Sequence, residues 1–160
     1  MMRALLIGIG NPLRRDDGVA QAVLDLLGGS PGIDLLPLHQ LTPEIASECA
    51  GYDPVIVIDA DVSASVLKLR SLPDGTGMLR KAFTHAPGPE DIVAIARSVF
   101  GFRGRAFLCR IPVSDLEVGA GLTPHAQGMA HTAAKLIRQF VAGGSGIRGT
   151  AKIPFDSRYP

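Results

Sequence analysis

Short apolar runs alternate along this chain with segments whose apolar residues recur at helical spacing. The first run, residues 3–8 (RALLIG), closes on glycine and has the pattern of a strand buried on both faces. After a turn, GVAQAVLDLLGG places Val19, Val23, Leu24 and Leu27 at helical spacing and stops at Gly28-Gly29. IDLLPL (33–38) reads as a second strand, and HQLTPEIASECAG as a helix with Thr42 as N-cap and Pro43 at its first position. The strongest strand signal is PVIVIDAD (54–61), a Val/Ile run that ends in acids. SVLKLRSL and GMLRKAF are partly polar and flank the turn PDGTG, which suggests an edge hairpin. GPEDIVAIARSVFG predicts a helix over 89–100 with Ile92, Ile95, Ala96 and Val99 inward. RAFLCRIPV (105–113) is another buried strand, and the last helix begins at Thr123-Pro124 and ends at Gly143-Gly144.

This strand–helix alternation predicts an α/β protein: one domain over residues 1–142, built on a mainly parallel sheet of about five strands covered on both faces. Residues 143–160 have no periodicity and are expected to be a flexible tail. In such a sheet the loops after the first three strands gather at the carboxyl edge, where α/β sheets bind ligands. That places Asp16 and Asp17, His39 with Glu44, and Asp59 with Asp61 at one edge, and His85 is positioned to join them.

Composition narrows the partners. The 160 residues are 46% hydrophobic and 19% charged with a net charge of +1, so no global field favours nucleic acid or an anionic membrane. Aromatics make up 5% with no Trp, which argues against a base-stacking surface. Cys49 and Cys109 stand far apart outside any metal-binding spacing and are expected to be buried free thiols. No apolar run approaches the roughly 20 residues of a membrane span, and the start of the chain has no signal-peptide pattern, so a cytoplasmic location is expected.

The turn at Gly8 and Gly10 invites a dinucleotide reading, but the third glycine of that fingerprint is replaced by Leu13 and two acids stand where the helix begins. Carboxylates there repel phosphate, so no nucleotide cofactor is expected. One of Asp16 and Asp17 is expected to cap the helix starting near Gly18 while the other faces the cleft. Asp59 ends a strand buried on both faces, where a carboxylate is costly unless paired or metal-bound. Asp61, two residues on, reads as solvated or as a cap. With His85, two such carboxylates give a mixed N/O donor set suited to a borderline divalent ion such as nickel or zinc. His39, Gln40 and Glu44 read first as scaffolding of a helix start, with a ligand role as the alternative. His125 and His131, six residues apart in the last helix, fall on opposite faces and make no metal pair, and Arg14 and Arg15 read as a solvated loop tip. No nucleophile elbow is present, and neither cysteine adjoins a histidine.

The stretch GIGNPLRRDDGVA resembles the G-x-G-N-x-L-x-x-D-D-G signature of the [NiFe]-hydrogenase maturation endopeptidases. HQLTPEIA, VIVIDAD, FTHAPGPEDIVAIA and GLTPHAQGMAHTAAKLI follow in the order of that family's further motifs, over roughly residues 3–141. The resemblance implies a three-layer α/β/α sandwich on a mixed or mostly parallel sheet. It also implies an enzyme that removes a C-terminal extension from the hydrogenase large-subunit precursor after nickel insertion. Asp17, Asp59 and His85 then recognise the nickel, which the substrate supplies, and serve as the catalytic and metal-binding set; Asp16, His39, Glu44 and Asp61 are secondary. Many members carry a second glycine where this chain has Ala20, which should extend the helix. A module that binds nickel on the large subunit without cutting it, in the manner of a metallochaperone, would use the same three ligands.

Overall fold

The protein is described by a computed structural model that covers residues 2–73 and 86–143 and the backbone of residues 151–154. Strand β1 (Ala4–Ile9) lies between β2 (Ile33–Leu38) and β3 (Val55–Asp61), parallel to both. Its unbroken apolar sequence follows from that place, because alternate side chains enter two different cores. Leu6 joins Ile56 and Ile58 beneath α1 (Val19–Leu27) and α3 (Pro124–Ala142). Leu5 and Ile7 join Val55 and Val57 on the opposite face, which is covered by α2 (Pro89–Val99) and a 3-10 helix, Pro43–Cys49. The result is the expected three-layer α/β/α sandwich. Helices α1 and α3 pack side by side, and the rings of Phe107 and Phe140 meet edge-on at 4.7 Å to fasten α3 to the sheet.

Strand β5 (Ala106–Pro112) continues the parallel sheet beside β3, with Asp59 in register with Arg110. Strand β4 (Val66–Ser71) then runs antiparallel to β5, making the sheet mixed. The order is β2-β1-β3-β5-β4, with a sixth strand, β6 (Ala151–Pro154), beyond β4.

Several local expectations are corrected. Strand β6 (Ala151–Pro154) lies within the segment expected to be a flexible tail and pairs antiparallel with β4. Consequently β4 is an inner strand and β6 takes the edge; the second arm of the expected hairpin, residues 77–83, lies outside the described residues. The segment after Thr42 forms a 3-10 helix rather than an α-helix, and Thr42 makes no side-chain cap bond to its backbone. Seven residues are too few to hold a helix by propagation, and the Ser47 hydroxyl donates to the Glu44 carbonyl at 2.8 Å, competing for backbone acceptors. Val99, expected inward, is 63% exposed at the end of α2. The strong helices behave as read: Ala20 is fully buried within α1, and the Thr123 hydroxyl accepts from the Ala126 N–H as the N-cap of α3.

Candidate active site

Because β1, β2, β3 and β5 are parallel, the loops that follow them share one edge of the sheet. The chain leaves β1 toward β2 on one side and reaches β3 on the other, so the gap above β1 and β3 is the switch point where α/β sheets take ligands. Asp17 and Asp59 stand at this point.

Asp17 is held by its own loop. Its Oδ2 accepts the Asn11 N–H at 2.7 Å, while Asn11 Oδ1 accepts the Leu13 N–H at 3.0 Å. Gly10 has φ +149°, and a Cβ added there would lie 1.9 Å from the Asp17 carbonyl oxygen. The second glycine of the turn therefore serves the close approach of two backbones, and the approach fixes where Asp17 starts. Gln21, which the sequence reading passed over, ties this loop to the next: its Nε2 donates to the carbonyls of Gly10 at 2.9 Å and Leu38 at 3.1 Å. Gln21 lies beside the apolar stripe of α1, where a polar residue is ordinary and carries no signal of this role.

Asp59 stands within β3, one step beyond its buried apolar run, and is only partly exposed. Burial pushes its carboxyl up to about 6; the neighbouring charges of Asp17 and Asp61 add to the rise, against the Ala60 N–H and the Arg110 guanidinium, which lower it. Asp17 and Asp59 are thus brought into one another's field, as expected.

Asp16 departs from its expected role. It is fully buried, yet α1 begins after its N-cap Gly18 without a side-chain cap. Its carboxylate reaches across to the loop after β5 and the start of α3. It accepts from the N–H of Thr123 at 2.8 Å, of Asp115 at 3.2 Å and of Ser114 at 3.4 Å, and from the Thr123 hydroxyl at 3.0 Å. Asp16 braces α3, not α1.

The remaining candidates separate from the pair. Asp61 accepts the Ser63 N–H at 2.8 Å and hydroxyl at 2.6 Å and pairs with Arg110 at 3.0 Å, the Ser63 bond being the main reason its carboxyl lies below the usual range. Glu44 is exposed and held below its ordinary value chiefly by the Thr42 hydroxyl, so it acts as a local cap. His39 is exposed after β2. Among the described residues no three His, Cys, Asp or Glu side chains stand close enough to hold a metal ion. His39, Glu44 and Asp61 are thus not clustered with Asp17 and Asp59 among the described residues, and Glu44 and Asp61 spend their oxygens on local partners. His85 lies outside the described residues. Both cysteines are buried and free, with burial pushing the Cys49 thiol up to about 11 and the Cys109 thiol up to about 12, so neither is a nucleophile. No described helix is long and apolar enough to cross a membrane.

No protein-family model matches the chain, and no curated protein matches it significantly. Solved structures do. The hydrogenase maturating endopeptidase HybD from E. coli superimposes with a TM-score of 0.65 at 21% identity, covering 96% of this chain and 98% of that one. The [NiFe] hydrogenase maturation protease HybD from Thermococcus kodakarensis gives 0.65 at 19% identity, over 87% of this chain and 99% of its own. HycI, a [NiFe] hydrogenase maturation protease from Thermococcus kodakarensis KOD1, gives 0.62 at 22% identity, over 88% and 93%. This chain has the fold of the hydrogenase maturation endopeptidases. At such identities the likeness concerns the architecture, and it spans nearly the full length of both partners in each comparison.

Two of the acids at this edge carry distinct predictions. Asp16→Ala strands four donors in the interior and should lower the unfolding free energy by about 3 kcal/mol or more in urea titrations; a loss under about 1 kcal/mol would contradict the bracing role. Asp59 titrates in the folded chain at about 6, above its ordinary value of 3.8, so the folded state binds its proton more tightly. Its contribution to stability is greatest below pH 4 and is lost as pH rises through 6. Asp59→Asn should therefore melt higher than wild type at pH 7, by a few degrees if the cost is about 1 kcal/mol, with the gap closing near pH 4. A lower melting temperature at pH 7 would refute the burial cost.

Proposed function

We propose that the protein is an endopeptidase that removes the C-terminal extension of a [NiFe]-hydrogenase large-subunit precursor after nickel insertion, reading the bound nickel with Asp17, Asp59 and His85. The observation that carries this is the pair Asp17 and Asp59: two carboxylates held in one field at the switch point, one of them raised to about 6 by burial. A divalent cation relieves both the desolvation and the mutual repulsion of such a pair. The shared fold with structures described as maturation proteases gives the polypeptide substrate its class. His85 is the nitrogen donor of the set by resemblance. Arg110, in register with Asp59, also lowers the Glu90 carboxyl, so the first turn of α2 lies within the field of this edge.

In this reading the metal arrives with the substrate, bound by the thiolates of the large subunit. Asp17, Asp59 and His85 add ligands from the enzyme side and so fix the nearby scissile peptide in the cleft, an orientation effect worth many kcal/mol. Nickel polarises the scissile carbonyl or lowers the pKa of the attacking water when it is in place. Asp17, half-buried and positioned by the Asn11 N–H, is the carboxylate best placed to take the water's proton as general base.

The test is mass spectrometry of purified nickel-loaded and nickel-free precursor incubated with the protein. Wild type should shorten only the nickel-loaded form. Asp17→Asn, Asp59→Asn and His85→Ala should each lower kcat/KM by about 100-fold or more. Undiminished processing by these variants would remove the site assignment, equal cutting of both forms would remove nickel recognition, and stable binding without cutting would favour a non-proteolytic docking module.

A further inference from the structure

Three of the large apolar side chains left in water lie on loops at the acid edge: Leu13 at 67% exposure, Val62 at 58% and Val118 at 87%. Two of them adjoin. The Gly119 N–H donates to the Leu13 carbonyl at 2.9 Å and the Arg15 N–H to the Gly119 carbonyl at 3.0 Å, so the loop after β1 and the loop after β5 are stitched together beside Leu13 and Val118. The stitch is made at a conformational cost. Arg15 sits at φ 46°, a left-handed conformation rare for a side-chain-bearing residue, and its side chain lies over Gly119, whose φ is +155°. Arg15 also pairs with Asp115 at 3.6 Å, and one residue further on Asp16 grips the same loop from below. Rigid loops that hold two apolar side chains outward, four residues from a catalytic-edge carboxylate, have the form of a binding surface.

We infer that Leu13 and Val118 form an apolar lip that binds apolar side chains of the substrate polypeptide next to the scissile bond. The inference rests on the peptidase reading given above and extends it to a specificity-determining surface. The occupant is a substrate segment rather than a second copy of the chain, for two reasons. Two side chains present far less than the roughly 800 Å² per partner that a stable dimer buries. The lip is also joined to Asp17 through Asn11, whose Oδ1 accepts the Leu13 N–H and whose own N–H donates to Asp17, so a permanent partner there would crowd the acid pair. An extended peptide laid from the lip toward Asp59 buries the exposed leucine and valine while its scissile bond passes over the carboxylates. Because the loops are already braced, little ordering accompanies binding.

The experiment measures steady-state processing of nickel-loaded precursor by Leu13→Ser, Val118→Ser and the double variant, alongside binding of the labelled precursor by fluorescence anisotropy. Each single variant should raise KM and Kd about tenfold and the double variant further, with kcat at saturation retained and melting temperature unchanged. Val99→Ser, at an exposed valine at the far end of α2, should behave as wild type. Normal KM and Kd in the double variant would overturn the lip even if Asp17→Asn is inactive, and so would a change confined to oligomeric state. If wild type binds the precursor without cutting it and the double variant loses that binding, the lip stands and the peptidase reading falls. Failure of wild type to bind at all would remove both.

Discussion

A carboxylate with no access to water joins the two halves of this site. Asp16 is buried among backbone donors of the loop after β5 and the cap of α3, and its immediate neighbour Asp17 faces the opening. A buried charge is tolerated only when its lone pairs are filled, and here four donors fill them. That requirement fixes the position of the chain at residue 16 and with it the position of residue 17. The 3-10 turn from Arg15 to Gly18 makes the arrangement possible, since its tight winding turns successive side chains in different directions. One acid anchors, and the other is presented.

The presented acid meets a second carboxylate under conditions that favour neither. Asp59 stands one residue past the hydrophobic end of β3, where little water remains to solvate it. Arg110, in register on β5, offers partial compensation, but its ion pair is with Asp61. Asp61 and its Ser63 bonds thus draw the guanidinium away from full neutralisation of Asp59 and keep a negative field in the crevice. Helix α2 continues the same alternation of charge, with Glu90 bonded to Arg70 of β4.

Much of this was legible in the sequence, and the exceptions have a common cause. The parallel strands announce themselves because burial on both faces forces unbroken apolar runs, and α1 and α3 because one-sided burial forces helical spacing. Asp17 was legible as an acid at a helix start and Asp59 as an acid closing a buried apolar run. The role of Asp16 was not, because its partners belong to a segment that nothing in its local sequence designates. Strand β6 was missed for a similar reason: four residues with no periodicity become a strand because β4 offers an edge to pair with. Exposure of Leu13 and Val118 ran against the usual meaning of an apolar residue, and only the backbone stitch between their loops shows that they stay outside. Gln21 looked like an ordinary helix residue until its amide was seen bridging β1 and β2.

The bonds of Asp16 also set an order of events. Its partners lie 98 to 107 positions further along the chain. While the protein is being synthesised, the first loop can form its glycine turn early, but it has no brace until residues 114–123 have emerged from the ribosome. The negative crevice is therefore assembled late, although Asp16 and Asp17 are among the first residues made. A nascent chain carries Asp16 and Asp17 without the geometry that holds them in place, and the brace arrives only once Ser114, Asp115 and Thr123 have been made.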